Sequence, residues 1–565
     1  MREPQYDFVV VGAGSAGALL ASRLSADGRY TVLLLEAGVK DRSPWIHIPL
    51  GYAKTILDKR VNWAYHTEPE PELYGRRVYW PRGKVLGGSA AINGLIHIRG
   101  QRADYDAWQA SGCTDWGWDD VLPYFRKVED HYLGSSDLHG AGGPIAVQKP
   151  LDRSELCETF IDAGRTWNLN RNDDFNGLTQ EGIGYYDLTV RNGRRSNSAI
   201  GALRNAARRP NLTVVTQAQV LKVLFSNQTA CGVEYVVPNG GKCTATAQRE
   251  VVLCGGAINS PQLLLLSGVG SGEQLRAHGI PVTAEIPQVG ENLQDHLLAR
   301  LVCRVRKPIT LNDELATLWG KTKIGLQYAF KRRGPLTYAA AQAGFFIRST
   351  PDAIQPDTQG IFSPYSAPAL GQATHGFSAF SLAVTQSWPL SRGKITLRSA
   401  DPFSPPEIRA NYLSASSDAQ HLLRALKLAR ELLSQSPMRE LVADEHLPGR
   451  HLNTDSGLMD YIRQTASTCF HPCGTCRMGN DEDAVVSPDL RVRGVNGLRV
   501  VDASVMPRIT SGNINAPVLM IAERAADLIL GHHQTLAVSK NRPDASAANV
   551  VLDPKSRRKE RNANH

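Results

Sequence analysis

Within its first 36 residues the chain runs strand, glycine turn, helix, strand and acid, an order that narrows the fold to a nucleotide-binding βαβ unit. Residues 7–11 (DFVVV) form a β-branched run that feeds directly into GAGSAG at 12–17. A small-residue helical stretch follows, and a second apolar run at 30–35 ends on Glu36. Gly12 makes the tight turn, Gly14 lets backbone N–H groups approach a pyrophosphate, and Gly17 lets the helix pack close to the strand. Ser15 and Ala16 open that helix, whose N-terminus turns its positive dipole end to the phosphates. Glu36, about 20 residues beyond the glycines, is placed to accept hydrogen bonds from an adenosine ribose. The competing reading, a glycine-rich turn in an ordinary α/β protein, leaves that acid unexplained.

At 565 residues the chain exceeds what one hydrophobic core usually serves, so two domains are expected. No apolar run approaches the roughly 18 residues of a membrane span. The first strand begins so early that no secretory signal fits ahead of it, which points to the cytoplasm. Nine cysteines, odd in number and irregularly spaced, suit free thiols better than a disulfide framework. Part of the net charge of +9 sits in a polar tail, residues 538–565, that reads as disordered. Its cluster of Lys555, Arg557, Arg558, Lys559 and Arg561 lacks aromatic partners, so a solvated end is preferred over a nucleic-acid or membrane contact.

Further along, a second glycine-rich segment occupies 82–94 (RGKVLGGSAAING), where small residues allow close backbone approach. Strand patterns follow at 212–223, 231–237 and 249–253, the last running into Gly255-Gly256 and a helix. Between 301 and about 465 the pattern changes. Alternating strands such as 376–386 and 393–399, then helices at about 418–434 and 457–465, predict an antiparallel sheet with helices on one side, which suits a substrate domain. Residues 311–338 mix apolar side chains with Lys and Arg. This segment reads as an amphipathic surface helix, with a lid or a membrane-surface helix as alternatives. A strand at 498–501 ends on Asp502 and is followed by a helix at 515–530, so the C-terminal part returns to the first domain.

The densest reactive cluster is TCFHPCGTCRMG at 468–479. Cys469, His471, Cys473 and Cys476 are zinc-type ligands, but structural zinc sites use two separated pairs, and no second CxxC exists. The other reading is a catalytic His471 in a rigid Pro-Gly turn, able to take an alcohol proton near neutral pH.

Four segments together resemble the glucose-methanol-choline (GMC) oxidoreductase family, nearest to its choline dehydrogenase-like branch. They are VVVGAGSAG with LLLEAG; PRGKVLGGSAAINGL; GGAINSPQLLLLSGVG; and HPCGTCRMG followed by LRVVDASVMPRITSGNINAP. The resemblance extends to about Gly531. It implies an α/β fold: a discontinuous Rossmann-like FAD-binding domain (1–160, 196–300 and 470–537) and an α+β substrate domain on an antiparallel sheet (161–195 and 301–469). It also argues against metal at the cysteine cluster.

The resemblance implies FAD contacts at Gly12, Gly14, Ser15, Ala16, Gly17, Glu36, Ala37, Trp63, Gly88, Ser89, Asn93, Gly94, Val220, Asp502 and Ala503, with the isoalloxazine near 90–94. His471 matches the family's catalytic histidine, and Asn513 its second catalytic position, with Asn515 as fallback. Some relatives link FAD through a histidine at the position of Ile92, so noncovalent FAD is expected here. The implied reaction is oxidation of an alcohol, expected to be primary, to an aldehyde by hydride transfer. A quinone or dye-type acceptor, or O2, receives the electrons. Any membrane association would be peripheral, at the inner membrane, and no nucleic acid is expected. A hydroxynitrile lyase-like enzyme and a flavin photodecarboxylase are alternatives on the same fold. Trp63, Trp388 and Tyr365 are candidates for a quaternary-ammonium cage.

Overall fold

The computed structural model describes residues 4–238 and 240–531. The basic tail at 538–565, and the end of the 470–537 stretch, lie outside the described residues.

The two apolar runs become the parallel strands Gln5–Val11 and Val32–Glu36, with helix Ser15–Leu24 between them. Residues 8–11 and 32–36 are all buried, the near-continuous apolar pattern of a parallel sheet covered on both faces. Leu212–Thr216 pairs in parallel outside Val32–Glu36, and Lys242–Leu253 in parallel beyond Gln5–Val11. Thr229–Val236 and Gln219–Ser226 extend the sheet antiparallel, while Leu498–Val500 joins Lys242–Leu253 in parallel. Strands distant in sequence therefore share one sheet. The C-terminal return is held by helix Asn515–Leu530, which packs on Ser15–Leu24. Arg23 makes ion pairs with Glu523 and Asp527 across that contact.

The single strand pattern expected at 212–223 is in fact two strands. Gln217 has φ of 57° and breaks the run between Thr216 and Gln219. Its N–H donates to the Gly38 carbonyl and that of Ala218 to the Glu36 carbonyl, which brings Val220 close to the glycine turn.

The second sheet orders Val442–Leu447, Leu297–Val305, Ala379–Gln386, Thr358–Ser363, Ala343–Ile347 and Gly182–Tyr185, all antiparallel, with Ser467–Thr468 also paired to Leu297–Val305. Leu297–Val305 starts ahead of the expected boundary at residue 300. The period-2 pattern divides the two faces. Leu297, Ala299, Leu301, Phe362, Phe380, Leu382 and Val384 join a core that includes residues of helices Glu155–Thr166, Ser416–Leu433 and Asp455–Thr465. The alternate residues Leu298, Arg300, Ile361, Ser363, Ser381 and Ala383 face a cavity. Among the described residues no helix is long and apolar enough to cross a membrane.

Candidate active site

One cavity of about 1440 Å³ lies between the two sheets and runs from the glycine turn to the second sheet. Gly12, Gly14, Ser15, Ala16, Glu36, Ala37, Trp63, Gly88, Ser89, Asn93, Gly94, Val220, Asp502 and Ala503 all line it, as do His471 and Asn513. Gly17 does not. A Cβ there would stand 1.9 Å from the Gly12 carbonyl oxygen, so its part is close packing of the helix on the turn.

The glycine end fits a dinucleotide. Helix Ser15–Leu24 opens on the cavity with no side-chain cap and no acid in its first turn, leaving backbone N–H groups for a phosphate. A Cβ on Gly14 would meet nothing closer than Gly88 Cα at 3.9 Å. Glu36 accepts from the Ala13 N–H at 2.8 Å and the Gly38 N–H at 2.7 Å, and burial pushes its carboxyl up to about 7. Asp502 accepts from the Gly256 N–H and the Ser260 hydroxyl, which ties the last strand to the second Gly-Gly turn. Ile92 is buried in the cavity wall.

At the other end a set of buried side chains surrounds His471. Its Nδ1 lies 2.9 Å from His296 Nδ1, and His296 Nε2 lies 2.9 Å from the Ser387 carbonyl. On the far side, His471 Nε2 lies 3.0 Å from Asn513 Nδ2. Gln359 Nε2 donates to Asn513 Oδ1 at 3.2 Å and to the Tyr186 hydroxyl, which in turn donates to the Gly360 carbonyl. Burial lowers His471 well below the ordinary histidine value, helped by His296 and by the charge of Arg82. Burial also lowers His296, to about 4. The His471 backbone is held by Asp295, whose carboxylate accepts from the His471 N–H at 2.7 Å and also from Thr468 and Tyr412. Burial pushes Asp295 up to about 6.

Asn515 is turned elsewhere, its Oδ1 accepting from the Ser15 hydroxyl at 2.7 Å. Cys469 lines the cavity, and burial pushes its thiol up, as it does those of Cys473 and Cys476. Among the described residues no three His, Cys, Asp or Glu side chains are grouped to hold a metal. Trp388 lies off the cavity and donates to Asp104, whereas Tyr365 lines it and shares a hydrogen bond with Tyr52. Sequence reasoning missed Asp295, His296, Gln359 and Tyr186. The Asp-His dipeptide opening an apolar strand was the one local signal.

A mixed sheet with a nucleotide-type parallel core opens on the same cavity as a buried histidine–amide pair, the arrangement expected of a nucleotide-dependent oxidoreductase. Residues 6–298 and 389–522 match the N-terminal and C-terminal domains of GMC oxidoreductases. The chain is 42% identical over 528 residues to an alcohol dehydrogenase (acceptor) of Pseudomonas putida, spanning 93% of this chain and 96% of that one. It is 43% identical over 536 residues to the mitochondrial choline dehydrogenase of Homo sapiens, spanning 93% and 90%. Its structure superposes on pyridoxine 4-oxidase from Mesorbium loti with a TM-score of 0.84 at 34% identity, over 93% of this chain and 99% of that one. The chain belongs to the GMC oxidoreductase family and is an FAD-dependent enzyme acting on CH–OH donors.

Proposed function

We propose that the substrate is an uncharged, largely apolar primary alcohol, oxidised to its aldehyde with His471 as base and Asn513 as oxygen-orienting partner. The observation that carries the roles is the direction of the hydrogen-bond chain. The Ser387 carbonyl can only accept, so His296 Nε2 holds a proton. A neutral His296 then has a bare Nδ1, which accepts from His471 Nδ1–H. A neutral His471 is left with its lone pair on Nε2, in the cavity beside Asn513. At the other end, Gln359 donates to Asn513 Oδ1, so the Asn513 amide turns its N–H toward the same point.

An alcohol oxygen placed at that point meets one acceptor and one donor. His471 Nε2 takes the hydroxyl proton, and Asn513 Nδ2 holds the oxygen as the carbonyl forms. FAD would be held noncovalently by the glycine turns and Glu36, since Ile92 offers no nucleophile, and would supply the acceptor for the hydride that leaves the alcohol carbon.

Glu36 and Asp502, both at the nucleotide end, are the only acids among the described lining residues. The rest of the wall is mainly apolar, and its charges are all cationic: Lys54, Arg76, Arg77, Arg82, Arg300 and Lys321. A quaternary ammonium would lose its water there without a countercharge. Trp63 is not free to cage it: Lys84 Nζ stands 4.1 Å over its ring, and Tyr65 is stacked on it. The electrons pass to a quinone or dye-type acceptor, and membrane contact is peripheral.

The test is the visible flavin spectrum under nitrogen during addition of 1-alkanols and, separately, choline. Bleaching by alkanols but not choline is expected. Preferential bleaching by choline overturns the substrate class, and bleaching by no alcohol overturns the reaction.

A further inference from the structure

Helix Leu318–Lys331 carries two apolar faces, and only one of them is used. Gly320, Ile324 and Tyr328, four residues apart, are buried against the body, where the Tyr328 hydroxyl donates to the Gly193 carbonyl. Trp319, Leu326 and Phe330 lie within about 40° of one another on a different side. They are 75%, 51% and 83% exposed. The stretch from 318 to 333 also contains Lys321, Lys323, Lys331, Arg332 and Arg333, and no acid; Arg333 pairs with Asp152 and Arg332 lies over the Tyr328 ring, which leaves the three lysines for an outside partner.

A Trp-Leu-Phe surface with Lys323 beside it and further cations on the same helix matches the boundary of an anionic bilayer, where apolar rings sink to headgroup depth and cations meet lipid phosphates. It is a poor match for water, and equally poor for a basic or neutral protein surface. The position adds a second argument. Ile324 and Gly325 of the same helix line the substrate cavity, and so does Leu370 at its rim, itself 39% exposed.

We infer that helix Leu318–Lys331 docks this enzyme on an anionic lipid surface with the cavity rim turned toward the membrane. Apolar alcohol dissolved in the bilayer then enters without crossing bulk water. The docking stands on the helix, and only its use rests on the substrate proposed above.

The test is flotation of the full FAD-loaded chain with vesicles of phosphatidylcholine, alone or mixed with phosphatidylglycerol. Binding to the mixed vesicles, weakened by salt, is expected. The double variant Trp319→Ser/Phe330→Ser should lose at least about tenfold in affinity. Lys323→Glu/Lys331→Glu should lose roughly fivefold or more for each charge. Both should bleach with alcohol as wild type does when no vesicles are present. Failure of the wild type to float with phosphatidylglycerol, or unaltered flotation of Trp319→Ser/Phe330→Ser, overturns the inference. So does a wild-type dimer that this variant converts to monomer, because a second copy then covers the face. Flotation without alcohol-dependent bleaching would strike the substrate reading alone.

Discussion

Replacing His296 by Ala tests whether the tautomer of His471 is imposed from behind. The substitution removes the acceptor 2.9 Å from His471 Nδ1 and leaves that N–H buried without a partner. The bond matters most when His471 has taken the alcohol proton, because it then steadies a cation in a buried site. A hydrogen bond to a charged group is worth about 1.5–3 kcal/mol, and each ~1.36 kcal/mol is a factor of ten in rate. The rate of flavin bleaching at saturating 1-alkanol, followed by stopped flow under nitrogen, should therefore fall about 10- to 150-fold with KM little changed. His296→Gln restores a side-chain acceptor and should recover most of the rate. The pH profile gives an independent reading. In the proposed mechanism the working form of His471 is neutral, so kcat/KM should be full at neutral and alkaline pH. It should fall only below the ordinary histidine value, since burial, His296 and Arg82 all lower His471. A His296→Ala enzyme with wild-type rate, or a Gln variant as slow as Ala at equal thermal stability, would refute the reasoning.

Two glycines three residues apart should respond in opposite ways. Gly14→Ala places a methyl in open cavity, so the protein should fold but lose FAD affinity. Gly17→Ala drives its methyl to 1.9 Å from a carbonyl oxygen and should lower the melting temperature sharply. Glu36, raised to about 7 by burial, should make FAD binding weaken as pH falls through that value, because the protonated acid loses an acceptor. The stability of the FAD-free chain moves in the other direction: the raised carboxyl contributes stability below its ordinary value that is lost as pH rises through about 7. Titration of flavin fluorescence and melting against pH check both, and Glu36→Gln should flatten both. His139 is opposed by burial, but its hydrogen bonds to Asp174 and Glu129 prevail and lift it to about 9. Its contribution, at most about 3 kcal/mol, is full below the ordinary histidine value and is lost as pH rises through about 9. A melting temperature that declines into alkaline pH in wild type, and declines less in His139→Gln, is expected.

The nucleotide half was legible along the chain because its determinants are local. A glycine turn, a β-branched run and an acid one strand later specify geometry over a few tens of residues, and Gly12, Gly14 and Glu36 lie on the cavity as that spacing requires. The helix Asn515–Leu530 was legible for the same reason. What failed locally did so at a backbone detail: Gln217 in a left-handed conformation divides a run whose alternation looks continuous. The surroundings of His471 could not be read in this way. His296 immediately precedes one strand of the second sheet, Ser387 follows another, Gln359 lies on a third, and Asn513 precedes a helix of the first domain. Hydrogen bonds of about 3 Å join side chains as far apart in sequence as His296 and His471. The residue types and the nucleotide turn were thus written in local pattern, which short-range sterics and hydrophobic period decide. Which nitrogen of His471 is bare, and which asparagine faces it, depended on two sheets closing on one cavity, since a proton's place is set by whatever acceptor the fold brings within reach.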